Sequence, residues 1–201
     1  MKYTALIVTF NRLGKLKKTV EETLKLEFTN IVIVNNGSTD GTQAWLSSIV
    51  DTRVIVLTLT ENTGGAGGFK TGSQYICEQL ASDWVFFYDD DAYPYPDTLK
   101  SFSQLDKRGC RVFSGLVKDP QGKPCPMNMP FSRVPTSLGD TVRYLRYPAE
   151  FIPAANRSMF VQTVSFVGMV IHRDLLATSL DYIREQLFIY FDDLYFGYQL
   201  S

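Results

Sequence analysis

The chain has 201 residues, of which 45% are hydrophobic and 20% are charged, and its formal net charge is −1. This length suits one domain with a sizeable core, and we expect a single domain. The balanced charge gives no support for a nucleic-acid partner, and no apolar run approaches the roughly 20 residues that span a bilayer.

The N-terminus and the cysteines indicate the compartment. The chain enters a strand-like run at 3–10 without the basic and long apolar regions of a signal peptide. Its three cysteines, Cys77, Cys110 and Cys125, form neither a paired framework nor a metal-type cluster. We therefore predict a cytoplasmic protein with reduced thiols.

The first 90 residues alternate strand-like and helix-like runs. Apolar runs at 5–10, 31–34 and 54–57 are each followed by a polar loop and by apolar residues at helical spacing, and a fourth run at 84–88 leads into three aspartates. Such repeats predict an α/β fold with a mostly parallel, twisted sheet and helices on both faces. Ligands bind these sheets beyond the carboxyl ends of the strands, so the polar residues there should share one crevice. The loop after the second strand offers Ser38 or Thr39 as a helix N-cap.

The middle of the chain is less regular. A helix is predicted to start near Asp97, and a strand is predicted at Val112 to Val117. Between Lys118 and Arg157 the periodicity fails, and seven of the nine prolines lie there. This predicts a long irregular excursion, with one short helix around Leu138 to Tyr147, of a length that is more often functional than structural.

Regular patterns return near the end of the chain. They predict a glycine-interrupted strand at Val161 to His172, a short helix at Arg173 to Leu180, and a last strand-like run at Leu187 to Phe191 that ends in two aspartates. The segment from Leu194 to Leu200 predicts the start of a helix with no C-cap signal. We therefore expect a chain that is truncated at its C-terminus.

The acidic cluster after the fourth strand suggests a metal. Because side chains alternate along an extended chain, Asp89 and Asp91 can project to one side while Asp90 points elsewhere. That spacing suits two oxygen ligands of one hard divalent cation. A solvated acidic turn is the alternative, and in either case three adjacent anions call for a compensating cation.

Four glycines, Gly64, Gly65, Gly67 and Gly68, stand at a predicted helix start. Each interior helical glycine costs about 1 kcal/mol relative to alanine, so their presence needs a reason. One reason is close approach of a phosphate to the free N–H groups of the helix start, and the other is tight packing of the helix on the sheet. The spacing matches neither a Walker A loop nor a dinucleotide fingerprint.

Two further side chains allow opposite readings. Arg12 is the only cation predicted in the crevice-facing loop, where it could bind a diphosphate bidentately, although a solvated surface arginine fits equally. His172, the sole histidine, has no acidic cluster of the metal or triad kind beside it and is predicted to be structural. Hydrolase chemistry with a Ser–His or Cys–His pair has little support.

Five motifs stand in order along the chain, and together they resemble the inverting family 2 glycosyltransferases of the GT-A fold. They are Thr9-Phe10-Asn11-Arg12, Val34 to Thr42, Asn62 to Phe69, Asp89 to Ala92, and Phe191-Asp192-Asp193. The glycine stretch and the triple aspartate are most similar to the galactofuranosyl- and rhamnosyltransferase branch. The resemblance implies one Rossmann-like catalytic domain over 1–201, with a nucleotide-binding half at 1–91 and an acceptor-binding half at 92–201 that contains the excursion 118–157.

The resemblance also implies roles for single residues. The implied nucleotide-binding residues are Thr9, Phe10, Asn11, Arg12, Asn35, Asn62, Gly64, Gly65 and Asp90. The family usually has aspartate where Asn35 stands, but an asparagine carbonyl can still accept the N–H of a uracil or thymine. Asp89 and Asp91 are implied ligands of Mn²⁺ or Mg²⁺, with Asp193 as catalytic base and Asp192 in support.

These residues imply a metal-dependent inverting hexosyltransferase. It would move a sugar from a UDP- or dTDP-sugar to a glycan or lipid-linked acceptor in cell-surface polysaccharide synthesis, and would meet the inner face of the membrane through an absent C-terminal part. One alternative is a sugar-phosphate nucleotidyltransferase, whose glycine-rich phosphate loop would stand where this chain has Asn11 to Lys15. The other is a non-catalytic domain that binds a nucleotide-sugar or a glycan.

Overall fold

The computed structural model describes residues 1–154, 158–188 and 192–200. Their strands are β1 (Tyr3–Thr9), β2 (Asn30–Asn35), β3 (Val54–Thr58), β4 (Trp84–Asp89), β5 (Val112–Ser114) and β6 (Met169–His172). Their α-helices are α1 (Leu13–Leu24), α2 (Thr42–Leu46), α3 (Gly64–Gln79), α4 (Thr98–Gln104), α5 (Leu138–Arg146), α6 (Arg173–Ser179) and α7 (Asp192–Gln199). Across these ranges, no helix is long and apolar enough to cross a membrane.

The strands form one sheet in the order β3-β2-β1-β4-β6-β5. The first four strands are parallel, as the strand-helix repeats predict, while β6 runs antiparallel to both β4 and β5. Thr9 pairs with Asn35, and Val8 pairs with Asp89. The carboxyl ends of β1, β2 and β4 are therefore level, and they bring the polar residues that follow them to one edge.

The alternation of side chains along β1 explains why the sheet is covered on both faces. All seven residues of β1 are buried. Ala5 and Ile7 belong to one hydrophobic cluster with residues of α1, α2 and α4, whereas Leu6 and Val8 belong to another with residues of α3, α6 and α7. A strand buried on both faces needs a continuous apolar sequence, which is what the run at 5–10 provides.

Two predicted strands are shorter than the apolar runs suggest. Only Val112–Ser114 of the first run joins the sheet, and only Met169–His172 of the run from Val161. Gly168 has a φ of +90°, and its carbonyl accepts a hydrogen bond from Gly115 N (2.8 Å). β5 ends just before Gly115, and β6 begins just after Gly168. Thr163 to Phe166 are buried without pairing in the sheet, so the apolar Val164 and Phe166 reflect burial and not a strand.

Three further predictions are corrected near helix starts. Neither Ser38 nor Thr39 caps α2, because Gly41 occupies the N-cap position and the Asp40 carboxylate accepts from Thr42 N (3.2 Å). Leu187 ends a 3₁₀ turn that starts at Glu185, so this part of the predicted last strand is wrong, and 189–191 lie outside the described residues. The following helix begins at 192, so the aspartate pair stands in its first turn, whereas the sequence predicts this helix only from Leu194.

The excursion that begins at residue 118 is irregular as predicted, and α5 is its longest helix within the described residues. Tyr144 holds α5 in place, because its ring packs between those of Phe131 and Phe151, with 5.6 Å between centroids in each pair. Phe151 is fully buried. One aromatic cluster therefore holds α5 against other parts of this proline-rich segment.

Arg53 ties the end of α1 to the start of β3, and Arg53→Ala is expected to lower the free energy of unfolding by roughly 1–2 kcal/mol. The guanidinium donates to the carbonyls of Leu26 (2.8 Å) and Leu24 (2.9 Å) and pairs with the Asp51 carboxylate (2.8 Å). Removing it leaves two carbonyls without these donors. Urea unfolding measures the change, and Arg108→Ala is the control because Arg108 is exposed and pairs with an exposed aspartate, Asp106.

The same ion pair has a pH signature. Hydrogen bonds from the Arg53 side chain and backbone lower the pKa of Asp51 to about 2 from its ordinary value of 3.8. A lowered pKa stabilises the fold above pH 4, and this contribution is lost as the pH falls towards 2. The stability difference between the unchanged protein and Arg53→Ala should therefore shrink between pH 5 and pH 2. A constant difference would contradict a role for the Asp51 charge.

Candidate functional site

Asp90 lies at the centre of the polar edge beyond β1 and β4. Its side chain is buried, and Oδ2 accepts a hydrogen bond from Thr9 Oγ1 (2.8 Å) while Oδ1 lies 3.5 Å from Arg12 Nη1. Its carbonyl accepts from Thr19 Oγ1 (2.7 Å), which reaches up from α1. The parallel register thus brings together Thr9, Arg12 and Asp90, as the sequence predicts, although about 80 residues separate them.

Asp91 is held by two cations rather than one. Its Oδ2 lies 3.0 Å from Arg12 Nη1 and 2.9 Å from Lys15 Nζ. Arg12 is the only cation between β1 and α1, as predicted, but Lys15 in the first turn of α1 is a second cation at this edge that the sequence reasoning missed. Lys15 stands three residues after Arg12 at the start of α1, where residues three apart share a face, and this spacing is the signal that could have identified it.

Asp89 carries negative charge that the neighbouring side chains leave poorly compensated. The pKa of Asp89 is raised to about 7, first by burial and then by the carboxylates of Asp90 and Asp91, while Arg12 lowers it in part. Asp192 also contributes to the shift, so the two acidic clusters are close enough to repel each other. Burial likewise raises the pKa of Asp192 to about 6, with help from Asp193.

The donor atoms of this edge fit a hard divalent cation in part. Asp89 and Asp91 offer oxygen ligands, which Mn²⁺ and Mg²⁺ prefer, and the poorly compensated charge at Asp89 favours a cation there. Within the described ranges, however, no three His, Cys, Asp or Glu side chains are grouped to hold a metal. Phosphate oxygens or water would have to complete the ligand set, and a cation would share Asp91 with Arg12 and Lys15.

Asn35 and Asn11 support the loop after β2. Both ends of the buried Asn35 side chain are engaged, since Nδ2 donates to Gln43 Oε1 (2.8 Å) and Oδ1 accepts from Ser38 N (3.1 Å). Asn11, at a φ of +52°, accepts from Thr39 N (2.7 Å) through Oδ1. Phe10, which lies between the end of β1 and Asn11 in the chain, is partly exposed. Recognition of a base by these residues remains a prediction.

Asn36 has a role that sequence reasoning missed. Its Nδ2 donates to Asn62 Oδ1 (3.0 Å) and Gly64 O (2.8 Å), and its Oδ1 accepts from both Thr63 N and Thr63 Oγ1 (3.0 Å each). One buried amide thus joins the end of β2 to the residues that start α3. The available signal in the sequence was that a second asparagine, Asn36, follows Asn35 at the end of β2, although one asparagine is enough for a turn.

The glycines of α3 serve different neighbours. A Cβ at Gly68 would lie 2.5 Å from Val8 Cγ1, so this glycine allows the helix to pack closely on β1. Gly64 has a φ of +75°, and its N–H donates to Asn62 Oδ1 (2.9 Å). The N–H of Ala66 donates to Phe188 O (3.1 Å). Packing therefore explains Gly68, while phosphate contact by Gly64 and Gly65 remains a prediction.

The second acidic pair lies beside the start of α3. A Cβ at Gly65 would stand 3.9 Å from Asp192 Oδ2, and Asp192 itself is only 6% exposed. Asp193 is half-buried, and its Oδ1 accepts from Leu194 N (2.6 Å). The first turn of α7 thus carries one buried and one more accessible carboxylate, and the buried one is near enough to Asp89 to raise its pKa.

His172 is structural, as predicted. Its ring stands edge-on to Trp84, with 5.0 Å between centroids, and its Nδ1 accepts from Asp174 N (3.3 Å) at the start of α6. These contacts cap α6 and place the ring against Trp84 at the start of β4, which is the opposite end of that strand from Asp89. The histidine therefore takes no part in the polar edge.

Comparisons with known proteins give one family and several similar structures. The family model described as "Glycosyl transferase family 2" matches residues 4–164. No sequence among the curated proteins matches the chain significantly. The crystal structure of S. aureus TarS 1-349 is similar, with 20% identity and a TM-score of 0.67 over 98% of this chain and 55% of that one.

Two further solved structures are similar. A crystal structure of S. aureus TarS has 21% identity and a TM-score of 0.68 over 98% of this chain and 33% of that one. The mannosyltransferase PcManGT from Pyrobaculum calidifontis, in complex with GDP-Man and Mn²⁺, has 23% identity and a TM-score of 0.49 over 60% of this chain and 36% of that one.

The likeness to TarS concerns the fold. At 20% and 21% identity it confirms the predicted α/β architecture, a GT-A sheet that is mostly parallel with helices on both faces. The chain spans about half of TarS 1-349 and a third of the longer TarS chain.

Proposed function

The chain belongs to glycosyl transferase family 2, and we propose that it is a metal-dependent, inverting glycosyltransferase. The donor is a UDP- or dTDP-sugar and the acceptor is a glycan or a lipid-linked glycan of cell-surface polysaccharide synthesis. Within the family we assign it to the galactofuranosyl- and rhamnosyltransferase-like enzymes. The excursion 118–157 and the rest of the half from residue 92 bind the acceptor.

One observation carries the proposal. Two carboxylate clusters from distant parts of the chain come close enough for Asp192 to raise the pKa of Asp89, and among the described residues cations pair only with the first cluster. Asp91 is shared by Arg12 and Lys15, whereas Asp192 is buried beside Gly65. One cluster therefore suits the binding of charged phosphates, and the other suits transfer of a proton.

The donor binds on the side of Arg12 and Lys15. Their cationic groups offset negative charge on the diphosphate, and Arg12 presents a planar guanidinium that can take two phosphate oxygens. Asp89 and Asp91 would hold Mn²⁺ or Mg²⁺, which when bound offsets the charge that develops on the leaving diphosphate. Thr9 and Asp90 keep Arg12 at this edge through the contacts described above.

The acceptor reacts on the side of α7. Asp193 removes the proton from an acceptor hydroxyl as its oxygen attacks the anomeric carbon from the face opposite the diphosphate. The new C–O bond forms as the bond to the diphosphate breaks, so the anomeric configuration inverts. Asp192 supports this step as the buried carboxylate beside Asp193 in the first turn of α7.

Calorimetry with UDP and dTDP tests the donor half of the proposal. We expect one of the two nucleotides to bind at least about tenfold more tightly with Mn²⁺ than with EDTA, because the metal offsets repulsion between the diphosphate and the aspartates. The proposal fails if neither nucleotide binds under either condition.

A carboxylate variant separates the metal from the cations. Asp91→Asn should weaken nucleotide binding about tenfold in Mn²⁺ but should not weaken it in EDTA, because Arg12 and Lys15 are then free to contact phosphate. Asp106→Asn is the matched control, since this aspartate is exposed and lies outside the site. Equal losses for Asp91→Asn in Mn²⁺ and in EDTA would contradict a metal-binding role for Asp91.

A further inference from the structure

The start of α3 is occupied by another part of the protein. We refer to residues 185–188, which precede α7, as the leader. Ala66 N donates to Phe188 O (3.1 Å), and Lys70 Nζ, one turn further along α3, pairs with Glu185 Oε1 (3.1 Å). A backbone carbonyl and a carboxylate of the leader are therefore both bound by the first two turns of α3.

We propose that the glycine-rich start of α3 is the seat of the leader, and that it positions the carboxylate pair Asp192 and Asp193. Gly64 and Lys70 are then positioning residues, which act on the reaction through α7 rather than by touching phosphate. This inference rests on the proposed function, because it assigns the pair to catalysis. It gives Gly64 a purpose that packing on the sheet does not explain.

Gly64 is the residue for which the geometry is strictest. Its φ of +75° is one that other residues rarely adopt. A Cβ at this position would lie 2.7 Å from the carbonyl carbon of Phe188 and closer still to its oxygen. These are backbone atoms, which cannot rotate away as a side chain can. Any other residue at 64 must therefore push the leader off α3.

The electrostatics of the helix start agree with this seat. The N-terminus of a helix carries a partial positive charge and free N–H groups, which favour an oxygen ligand. Phe188 O takes the N–H of Ala66, and Asn62 Oδ1 takes that of Gly64 (2.9 Å). The carboxylate of Asp192 lies close to Gly65 at the same helix end. Oxygens of the protein itself thus satisfy groups that a phosphate would otherwise need.

The other end of α7 is fixed separately. Phe196 is fully buried, with its ring 5.5 Å from that of Phe166 between centroids, and a Cβ at Gly197 would lie 2.5 Å from Val164 N. The helix is therefore attached to the core in its second turn and to α3 through the leader. The carboxylate pair stands in the first turn, between these two attachments.

This placement decides what loss of the seat would do. Displacing the leader moves the first turn of α7 while the contacts of Arg12, Lys15 and Asp91 stay in place. A displacement of about 1 Å in a reacting group can cost roughly 100-fold in rate. The turnover number should therefore fall while the affinity for the nucleotide does not.

Gly64→Ala and Gly65→Ala test the seat without reference to any substrate. A methyl at 65 has room, since the nearest atoms would be 3.9 Å away. We expect amide hydrogen exchange in α7 to become about tenfold faster or more in Gly64→Ala, and to stay unchanged in Gly65→Ala, with β1 and β4 unaffected in both. Unchanged exchange of α7 in Gly64→Ala would overturn the proposal.

Binding and turnover distinguish the seat from a phosphate cradle. Gly64→Ala should bind the Mn²⁺ complex of UDP or dTDP with an affinity within about twofold of the unchanged protein. With a nucleotide-sugar that the protein uses as a donor, the kcat of this variant should fall roughly 100-fold while the donor KM stays unchanged. Gly14→Ala, in α1 with no atom within 4 Å of the added methyl, is the activity control. Loss of nucleotide affinity in both Gly64→Ala and Gly65→Ala overturns the seat in favour of phosphate binding.

A charge reversal tests the role of Lys70. Lys70→Glu and Glu185→Lys should each accelerate exchange in α7 about two- to fivefold, as expected for a partly exposed ion pair, and the double variant should restore it. If exchange in α7 of the double variant is accelerated by as much as the two single variants together, Lys70 is not a positioning residue. Absence of turnover in every variant and in the unchanged protein would contradict the proposed function, while the exchange measurements would still decide the seat.

Discussion

Replacing Asp193 by asparagine is expected to lower the rate of sugar transfer about 10²–10⁴-fold and to leave nucleotide affinity within about twofold. Asparagine has the same shape as aspartate but cannot take a proton from the acceptor hydroxyl. Its Oδ1 can still accept from Leu194 N, as Asp193 Oδ1 does at 2.6 Å, so the first turn of α7 should persist. Release of the nucleoside diphosphate, measured with and without acceptor, gives the rate.

Asp192→Asn is the matched comparison. Asp192 is buried and supports its neighbour by charge, so its loss should cost about tenfold. Asp181→Asn, outside the site, should have no effect. Transfer at a near-normal rate in Asp193→Asn would show that Asp193 is not the base, and a larger loss in Asp192→Asn would move this role to Asp192.

Gly72→Ala is expected to lower the free energy of unfolding by roughly 1–3 kcal/mol, although alanine favours helices. Gly72 lies in α3 against the sheet, where an added Cβ would stand 3.0 Å from Val34 Cγ2 and closer still to Leu6 Cδ1. Both of these side chains are fully buried, so neither can move into solvent. Overpacking therefore outweighs the gain of about 1 kcal/mol in helix propensity.

Gly14→Ala should have the opposite sign. Gly14 lies in α1 with no atom within 4 Å of an added methyl, so alanine should raise the free energy of unfolding by up to about 1 kcal/mol. Urea unfolding of both variants under one condition gives the comparison. Stabilisation by Gly72→Ala would mean that α3 packs on β1 and β2 less closely than its distances indicate.

Local patterns predicted the first half of the fold correctly. The strands β1 to β4 and the helices α1 and α3 follow from apolar runs and helical spacing, because each element is buried on a face that its own sequence marks. The meeting of Arg12 with Asp90 and Asp91 also followed, since level carboxyl ends of parallel strands place their loops together.

The same patterns failed where burial does not imply a strand. Thr163 to Phe166 are buried without joining the sheet, and Leu187 belongs to a 3₁₀ turn. An apolar run indicates that a segment is buried, but it does not indicate which backbone conformation the buried segment adopts. Lys15 was missed for a related reason, because a lysine on a helix is usually solvated and its spacing from Arg12 had to be weighed against that expectation.

By itself, the sequence determined which segments are buried and which polar groups follow each strand, because composition and spacing along the chain encode both. Only the tertiary structure decided how the glycines of α3 divide between packing on β1 and contact with Phe188. It also decided that Asp192 lies beside Gly65. These contacts join residues far apart in the chain, and a distance between such residues exists only once the helices and the sheet have packed.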